Sequence, residues 1–484
     1  MKSIFFLLLF IITFNLQAQP PSKFYTRIGG NGYDVGYDVK QTLDNGYIIT
    51  GSTSSMGVGN TDMYLLKLDS MGQIKFQSTF GNANNDIGKS VIQLIDSSYV
   101  IVGYTNSIGF GGYDIFLVKA DKYGALVWQK TIGGTDWDFA NSLQQTSDGG
   151  FIIAGSTYSY GHGNEDGYVV KTDANGNITW SKTYGGANDD EFKSVIQTAD
   201  GGYALCGYTK SYGDINGDAW VFKLLTNGDS AWSSIYGGVK EDFTNKIIQV
   251  QSSDLVVAGG TKSIPTSTTT IEQTLLIKYN VVNGNQLYFY IDPVGYEEYY
   301  NSIAEGINGS FVGCGRTKNF VFGYQGLVDV YGIGFSYINF YSFATGNNDE
   351  FYSVCKTKDK GFALVGSTQG TFPTLQDVMF LKIDSIGNYG TSITSLKNIE
   401  LNNLELNIFP NPSTESININ LSTELDINKS YFKIMAVNGN EVLSGNIYNH
   451  HSKVDISNLS TGLYFFQLYN EIGLLKTSKI SVIK

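Results

Sequence analysis

Apolar residues in this chain fall into short runs broken by Gly, Asn, Asp and Ser, and the runs return at a fixed spacing. One stretch shows the pattern. Residues 139–146 have strand-like composition and end at Ser147-Asp148-Gly149-Gly150, a hairpin turn signal. Residues 151–157, Phe-Ile-Ile-Ala-Gly-Ser-Thr, are a short β-branched apolar run of the buried-strand type. A glycine-rich loop, 159–165, leads to a third run at 166–171. Asp173-Ala174-Asn175-Gly176 then turns the chain into a fourth, 178–184, closed by Gly185-Gly186. No window carries a helical period. The pattern predicts four antiparallel strands.

The unit repeats. Phe24, Phe76, Trp128, Trp180 and Trp232 open five copies at steps of 52 residues, and Tyr288 and Asn339 open two more after steps of 56 and 51. Counted from these residues, offset +27 is always glycine (Gly51, Gly103, Gly155, Gly207, Gly259, Gly315, Gly366) and +29 always threonine (Thr53 to Thr368). Offset +10 is always acidic: Asp34, Asp86, Asp138, Asp190, Asp242, Glu298 and Asp349. Four strands in about fifty residues is the size of a propeller blade. The expectation is an all-β chain with a seven-bladed β-propeller over 24–390, an open β-array being the alternative. The ends favour a ring. The first copy begins with what matches a fourth strand, 24–28, and the last reaches only its third strand and turn, so the N-terminal strand would complete the last blade and remove both free edges.

Positions shared by all copies have architectural explanations. Glycine at +27 marks a close backbone or a bulge, aromatics at +23 such as Tyr47, Tyr99 and Phe151 pack between blades, and the acid at +10 accepts backbone N–H bonds in the turn. Chemistry needs an asymmetric site.

Loop lengths suggest where a ligand would bind. The turns between strands 1 and 2 and between strands 3 and 4 are tight. The connections between strands 2 and 3 and between blades read as longer, and both emerge on one face. That face is expected to carry the seven +10 carboxylates with Tyr160 and Tyr212, among other aromatics (Phe110, Tyr158, Phe320, Phe322, Tyr324). Rings beside carboxylates suit sugar stacking or a protein interface. The same rings could instead cover the seams between blades.

Composition narrows the partners. The net charge is −12, with a pI near 4.8, which disfavours nucleic acid and anionic membrane surfaces. Arg27 and Arg316 are the only arginines. Met1-Lys2 followed by an apolar stretch, 4–14, and Ala18 reads as a signal peptide over 1–18, too short for a membrane span. No transmembrane segment is expected once it is removed. The three cysteines, Cys206, Cys314 and Cys355, suit no disulfide framework or metal site.

No nucleophile elbow, zinc-protease motif or phosphate loop is present. His162, alone in a glycine-rich loop, reads as solvated. No cofactor is expected, and the one calcium candidate is Asp214-Ile215-Asn216-Gly217-Asp218, which lacks a distal bidentate glutamate. The fifth and sixth copies depart most from the repeat, so Asp292, Glu297, Glu298 and Asp329 are the carboxylates to test for a glycan hydrolase or lyase.

After Gly390 the register stops. A polar linker, 391–403, precedes a small β-sandwich over 404–484 with β-type runs at 406–409, 416–421, 431–437, 463–468 and 476–483. This segment carries Phe409-Pro410-Asn411-Pro412, then Asn438-Gly439 with Glu441-Val442, then 454–459 leading into Gly462-Leu463-Tyr464, and a last strand from Lys479 to Lys484. As a set these resemble the type A C-terminal sorting domain of the Bacteroidetes type IX secretion system, with Ala436 where that family often has aspartate. The resemblance implies engagement of that machinery, export through the outer membrane, and attachment or release. The blades resemble secreted bacterial repeat propellers bearing Asp148-Gly149-Gly150-Phe151, Gly155-Ser156-Thr157, Lys171-Thr172-Asp173 and Trp180, families mostly without an assigned activity. The expected function is a non-catalytic surface or secreted module that binds a glycan or protein, with the secreted glycan-degrading enzyme as the alternative.

Overall fold

Blade 3 shows how the sequence makes the unit. Its strands are Asp138–Gln145, Phe151–Thr157, Asp166–Thr172 and Ile178–Tyr184, each antiparallel to the next. The second and third are buried on both faces, and that is why they read as continuous apolar runs. In this computed structural model, residues 23–263, 271–291, 296–319, 323–343, 348–369, 375–388, 406–421, 430–436, 441–447, 449–470 and 473–484 are described. The expected signal peptide and linker lie outside them. Among the described residues there is no α-helix, and no helix is long and apolar enough to cross a membrane.

Seven four-stranded sheets follow one another in sequence order: blades 1 to 6 span 34–80, 86–132, 138–184, 190–236, 242–291 and 298–343. Blade 7 takes three strands from 349–383 and its fourth from Phe24–Ile28. Each first strand touches the first strand of the next blade, and that of blade 7 touches that of blade 1. The ring is closed. Phe24 packs on Phe380 and Tyr47, with ring centroids 5.6 and 6.4 Å apart.

The core lies at the seams. One cluster joins Met63 and Leu65 of blade 1 to Val91, Ile101 and Phe116 of blade 2, and its counterparts join blades 2 to 7 in successive pairs. The aromatic at +23 takes part as expected, for example Tyr99 against Phe76 and Tyr203 against Trp180.

Every first strand carries a β-bulge. Register slips between Gly36 and Asp38 in blade 1, between Ala140 and Ser142 in blade 3, and at the same place in the other five. The bulge explains the glycine at +27. A Cβ on Gly155 would lie 2.0 Å from the Phe139 carbonyl oxygen, and on Gly51 1.7 Å from that of Val35.

The acid at +10 is the second fastener. Asp138 accepts from the Thr157 hydroxyl, from Ser159 Oγ at 2.7 Å and from Gly134 N at 2.8 Å. Asp190 repeats this with Thr209, Ser211 and Gly186. A third device escaped the sequence reading. A buried lysine on the third strand reaches the aspartate of the strand 1–2 hairpin, as in Lys67–Asp44 at 3.0 Å, Lys171–Asp148 at 2.9 Å and Lys223–Asp200 at 3.0 Å. Blade 6 has Val330 at that place, and the buried Asp329 beside it accepts from the Tyr300 hydroxyl.

One expectation about loops changes. The link between blades, 81–85, is no longer than the hairpin 42–46, and only the strand 2–3 connection, 54–61, is extended.

The C-terminal unit is two sheets. One pairs Leu406–Phe409, Ser416–Leu421 and His451–Asp455; the other orders Glu441–Asn446, Tyr431–Ala436, Gly462–Asn470 and Gly473–Val482. Ile417, Ile419, Phe432, Ile434, Phe466 and Ile480 share one core. Two of these strands, 441–446 and 451–455, are weakly apolar and were not read from the sequence. Asn411 fixes the last strand: its side chain donates to Lys479 O at 2.8 Å and accepts from Ser481 N at 2.8 Å. The Tyr464 hydroxyl donates to Ser460 O at 3.0 Å. Gly439 lies outside the described residues.

Candidate functional site

The bulge re-aims side chains toward the propeller axis. Within 138–145, the half-buried residues are Phe139 and the bulged Asn141; after it the alternation changes phase to Gln144. The bulged residues of all seven blades (Tyr37, Lys89, Asn141, Lys193, Asn245, Asn301, Tyr352) and the residue after each line one axial cavity of about 470 Å³. Its wall is Asn, Ser, Tyr, Lys and two carboxylates, with no aliphatic side chain. A second cavity, about 460 Å³, lies between blades 4, 5 and 6 and shares Lys193, Asn245, Tyr299 and Asn301 with the first. The two are one channel and its mouth.

At the mouth the blades stop being equivalent. In every blade the N–H at +30 donates to the carbonyl at +9, as in Tyr158 to Trp137 at 2.7 Å and Lys262 to Glu241 at 3.0 Å. The side chains on this shared frame differ. Blades 4, 5 and 6 carry ion pairs: Lys210–Asp189 at 3.0 Å, Lys262–Glu241 at 2.6 Å and Lys318–Glu297 at 2.9 Å. Blade 3 carries Trp137 and Tyr158, 5.9 Å between centroids. Phe139, Tyr113 and Tyr104 extend this wall toward blade 2, with Tyr104 and Phe139 at 5.0 Å. Trp137 is half exposed.

The residue just before the third strand adds two more acids. Its carbonyl accepts the +10 N–H of the next blade, for Glu165 and for Glu272 alike, both at 2.8 Å. Both side chains are nearly buried. Burial pushes the Glu272 carboxyl up to about 7; Lys262 and Arg316 oppose the shift, while Glu241 and Glu297 add to it. Burial and then the Glu191 charge raise Glu165, whose Oε2 accepts from the Tyr158 hydroxyl at 3.1 Å. Blade 4 has Gly217 at this position, so the wall between the two acids carries no side chain there. Arg316 lies over the rings of Tyr299 and Tyr324, at 4.7 and 4.1 Å.

Most of the residues singled out from the sequence lie elsewhere; Tyr158, Tyr324 and Glu297 belong to the walls of the mouth, and Asp242 lines its cavity. The seven +10 acids are buried, and those whose hydrogen bonds are resolved spend their oxygens on their own blade, Glu298 accepting from Thr317 Oγ1 at 2.6 Å. They form a ring, but not one presented to solvent. Tyr160 and Tyr212 bridge seams: their hydroxyls donate to Gly133 O and Gly185 O, each at 2.8 Å. Among the enzyme candidates, Glu297 sits at the mouth, with Lys318 and the Tyr324 hydroxyl bonded to it. Those bonds hold its carboxyl below the usual value against the opposing effect of burial. Asp329 is buried inside blade 6, and Asp292 lies outside the described residues.

The calcium candidate turns inward on itself. Asp218 accepts from Asp214 N at 2.6 Å, and Asp214 accepts from Asn216 N at 3.0 Å. Among the described residues no three His, Cys, Asp or Glu side chains gather as metal ligands. His162 is exposed, and the cysteines are free; burial pushes the Cys206 thiol up to about 12.

Glu165, Glu272, Trp137 and the lysines at +30 were not singled out. Their signal was present as departure from the repeat, at offsets whose convergence only the fold reveals.

Residues 407–484 match the family of secretion system C-terminal sorting domains. The chain is accordingly exported to the cell surface or extracellular space by the type IX route. The regulatory protein FlaEY of Caulobacter vibrioides is 26% identical over 285 residues, 51% of this chain and 28% of FlaEY, so the chain spans little more than a quarter of that relative. PorZ, a surface component of the type IX secretion system of Porphyromonas gingivalis, superposes with a TM-score of 0.39 at 12% identity, over 91% of this chain and 64% of PorZ. The WD40 domain of Neurospora crassa Pan2 superposes at 0.46 and 10% identity, over 76% of this chain and 98% of that one.

Proposed function

We propose that this chain, an exported propeller with a type IX sorting domain at 407–484, is a non-catalytic binding module whose ligand sits at the mouth of the axial channel. One observation carries the reading: a seven-fold frame presents an aromatic wall from blades 2 and 3 and a charged wall from blades 4 to 6. Rings that stack and polar groups fixed beside them are what a glycan or a protein anchor requires.

The test is a glycan array combined with a reducing-end release assay on the mature chain. Binding without release, lost in Trp137→Ala, is the expected result. Release of reducing ends that disappears in Glu272→Gln would replace this reading with a hydrolase or lyase. That second reading is favoured by Glu272, whose carboxyl burial pushes up to about 7, lining the same cavity as Glu241, since a glycosidase needs two carboxyl groups at one site. Removing everything after Gly390 is expected to leave the propeller in the periplasm, read by cell fractionation.

A further inference from the structure

The channel below the mouth has a charge imbalance. The two carboxylates of its wall, Asp38 and Glu350, and Glu191 beside it are already engaged. Asp38 accepts from Lys40 Nζ at 2.6 Å and Ser353 Oγ at 2.7 Å. Glu191 pairs with Lys193 at 2.6 Å and accepts from Asn141. Glu350 accepts from Tyr299, Asn301 and Tyr352 at 2.9, 2.7 and 3.3 Å and pairs with Arg316 at 3.8 Å. Lys89 and Lys246 line the same cavity and form no ion pair among the described residues. Lys89 Nζ lies 3.9 Å from the centre of the Tyr37 ring, a contact that holds a cation without neutralising it. In a protein of net charge −12, two uncompensated ammonium groups at the axis need an explanation.

Resting on the reading that the mouth binds a ligand, the geometry points to an acidic glycan whose sugar carboxylate enters the channel toward Lys89 and Lys246 while a ring of the same glycan stacks on the Trp137 wall. The absence of aliphatic side chains in the lining favours hydroxyls and a carboxylate over the apolar side chains of a peptide. The titration of the lysines agrees. Burial and then the Lys193 charge pull Lys89 down to about 8, against Glu191 and Glu350. Lys246 is lowered by burial and then by Lys40, against Asp38, Cys206 and Cys314. A bound carboxylate would raise both. Below pH 8 it meets Lys89 already charged; above pH 8 binding must take up a proton, so affinity falls as pH rises.

The experiment is calorimetric titration of the mature chain with an oligogalacturonate and with its methyl ester, which keeps the rings and removes the charge. The acid is expected to bind at least about tenfold tighter than the ester. Lys89→Met or Lys246→Met should bring the acid down to the ester's affinity and leave the ester unchanged, whereas Lys89→Arg, which keeps the charge, should preserve the preference. Above pH 8 the preference should shrink. Equal binding of acid and ester, lost in Trp137→Ala, overturns the anion site and leaves the mouth reading standing. Binding of either ligand that is indifferent to Trp137→Ala overturns the mouth reading. No binding of either oligomer, or binding of a peptide with a free C-terminal carboxylate in their place, overturns the acidic-glycan assignment.

Discussion

Blade 3 and blade 5 meet the mouth with the same backbone and opposite chemistry. In one, +9 and +30 are Trp137 and Tyr158; in the other they are Glu241 and Lys262, yet the main-chain bond between the two positions is 2.7 Å in the first and 3.0 Å in the second. The frame is held by the +27 glycine, the +10 acid and the +29 threonine; of these only Asp242 lines the mouth cavity, and its oxygens are bonded to Thr261 and Gly238. Side chains with no part in that frame can diverge without cost to the blade. Repetition therefore marks architecture in this chain, and departure from repetition marks the surface open to function.

The largest effect expected from breaking this division is on the frame as a whole. Deleting 24–30 removes the fourth strand of blade 7, with buried Phe24 and Ile28, and should destabilise the propeller by upward of about 5 kcal/mol. A thermal melt like the parent's would refute closure by this strand.

A smaller effect separates frame from mouth directly. Gly155→Ala places a Cβ 2.0 Å from the Phe139 carbonyl oxygen and should cost about 2–4 kcal/mol in chemical denaturation. Trp137→Ala, half exposed at the mouth, should change stability by less than about 1 kcal/mol while removing ligand binding. The reverse order would dissolve the distinction.

The smallest effect sharpens the charged wall. Glu272 titrates near 7 in the folded chain, against about 4.3 for an ordinary glutamate. Between those values the folded state holds more protons than the unfolded one, so stability falls as pH rises through that window. Glu272→Gln should remove this fall, gaining on the parent as pH rises to 7 and above. Denaturation midpoints that run parallel in parent and variant across the window would show that Glu272 is not held neutral.

Much of the fold was legible because it rests on local chemistry. The runs 151–157 and 178–184 coincide with observed strands, since short β-rich segments bounded by glycine turns favour extended pairing. Strands 441–446 and 451–455 were not legible, because their polar sequences become strands only through the pairing partners beside them. The site was less legible still. The +10 acids attracted notice because they recur, and Tyr160 and Tyr212 because they are aromatic; the first are buried in turns and the second span seams.

By itself the sequence determined the unit, its seven copies, the positions that must be glycine or acid, and the address at the C-terminus. Each depends on interactions within one repeat or on a contiguous motif. Tertiary structure alone decided which offsets converge. A bulge shifts the alternation by one residue, so that +13 and +14 both face the axis, and closure brings seven such strands around one channel. Lys89 and Lys246, one in blade 2 and one in blade 5, become neighbours of a common cavity only through that closure. Side chains from distant blades act together only where the ring makes them share a space, and no spacing along the chain encodes that space.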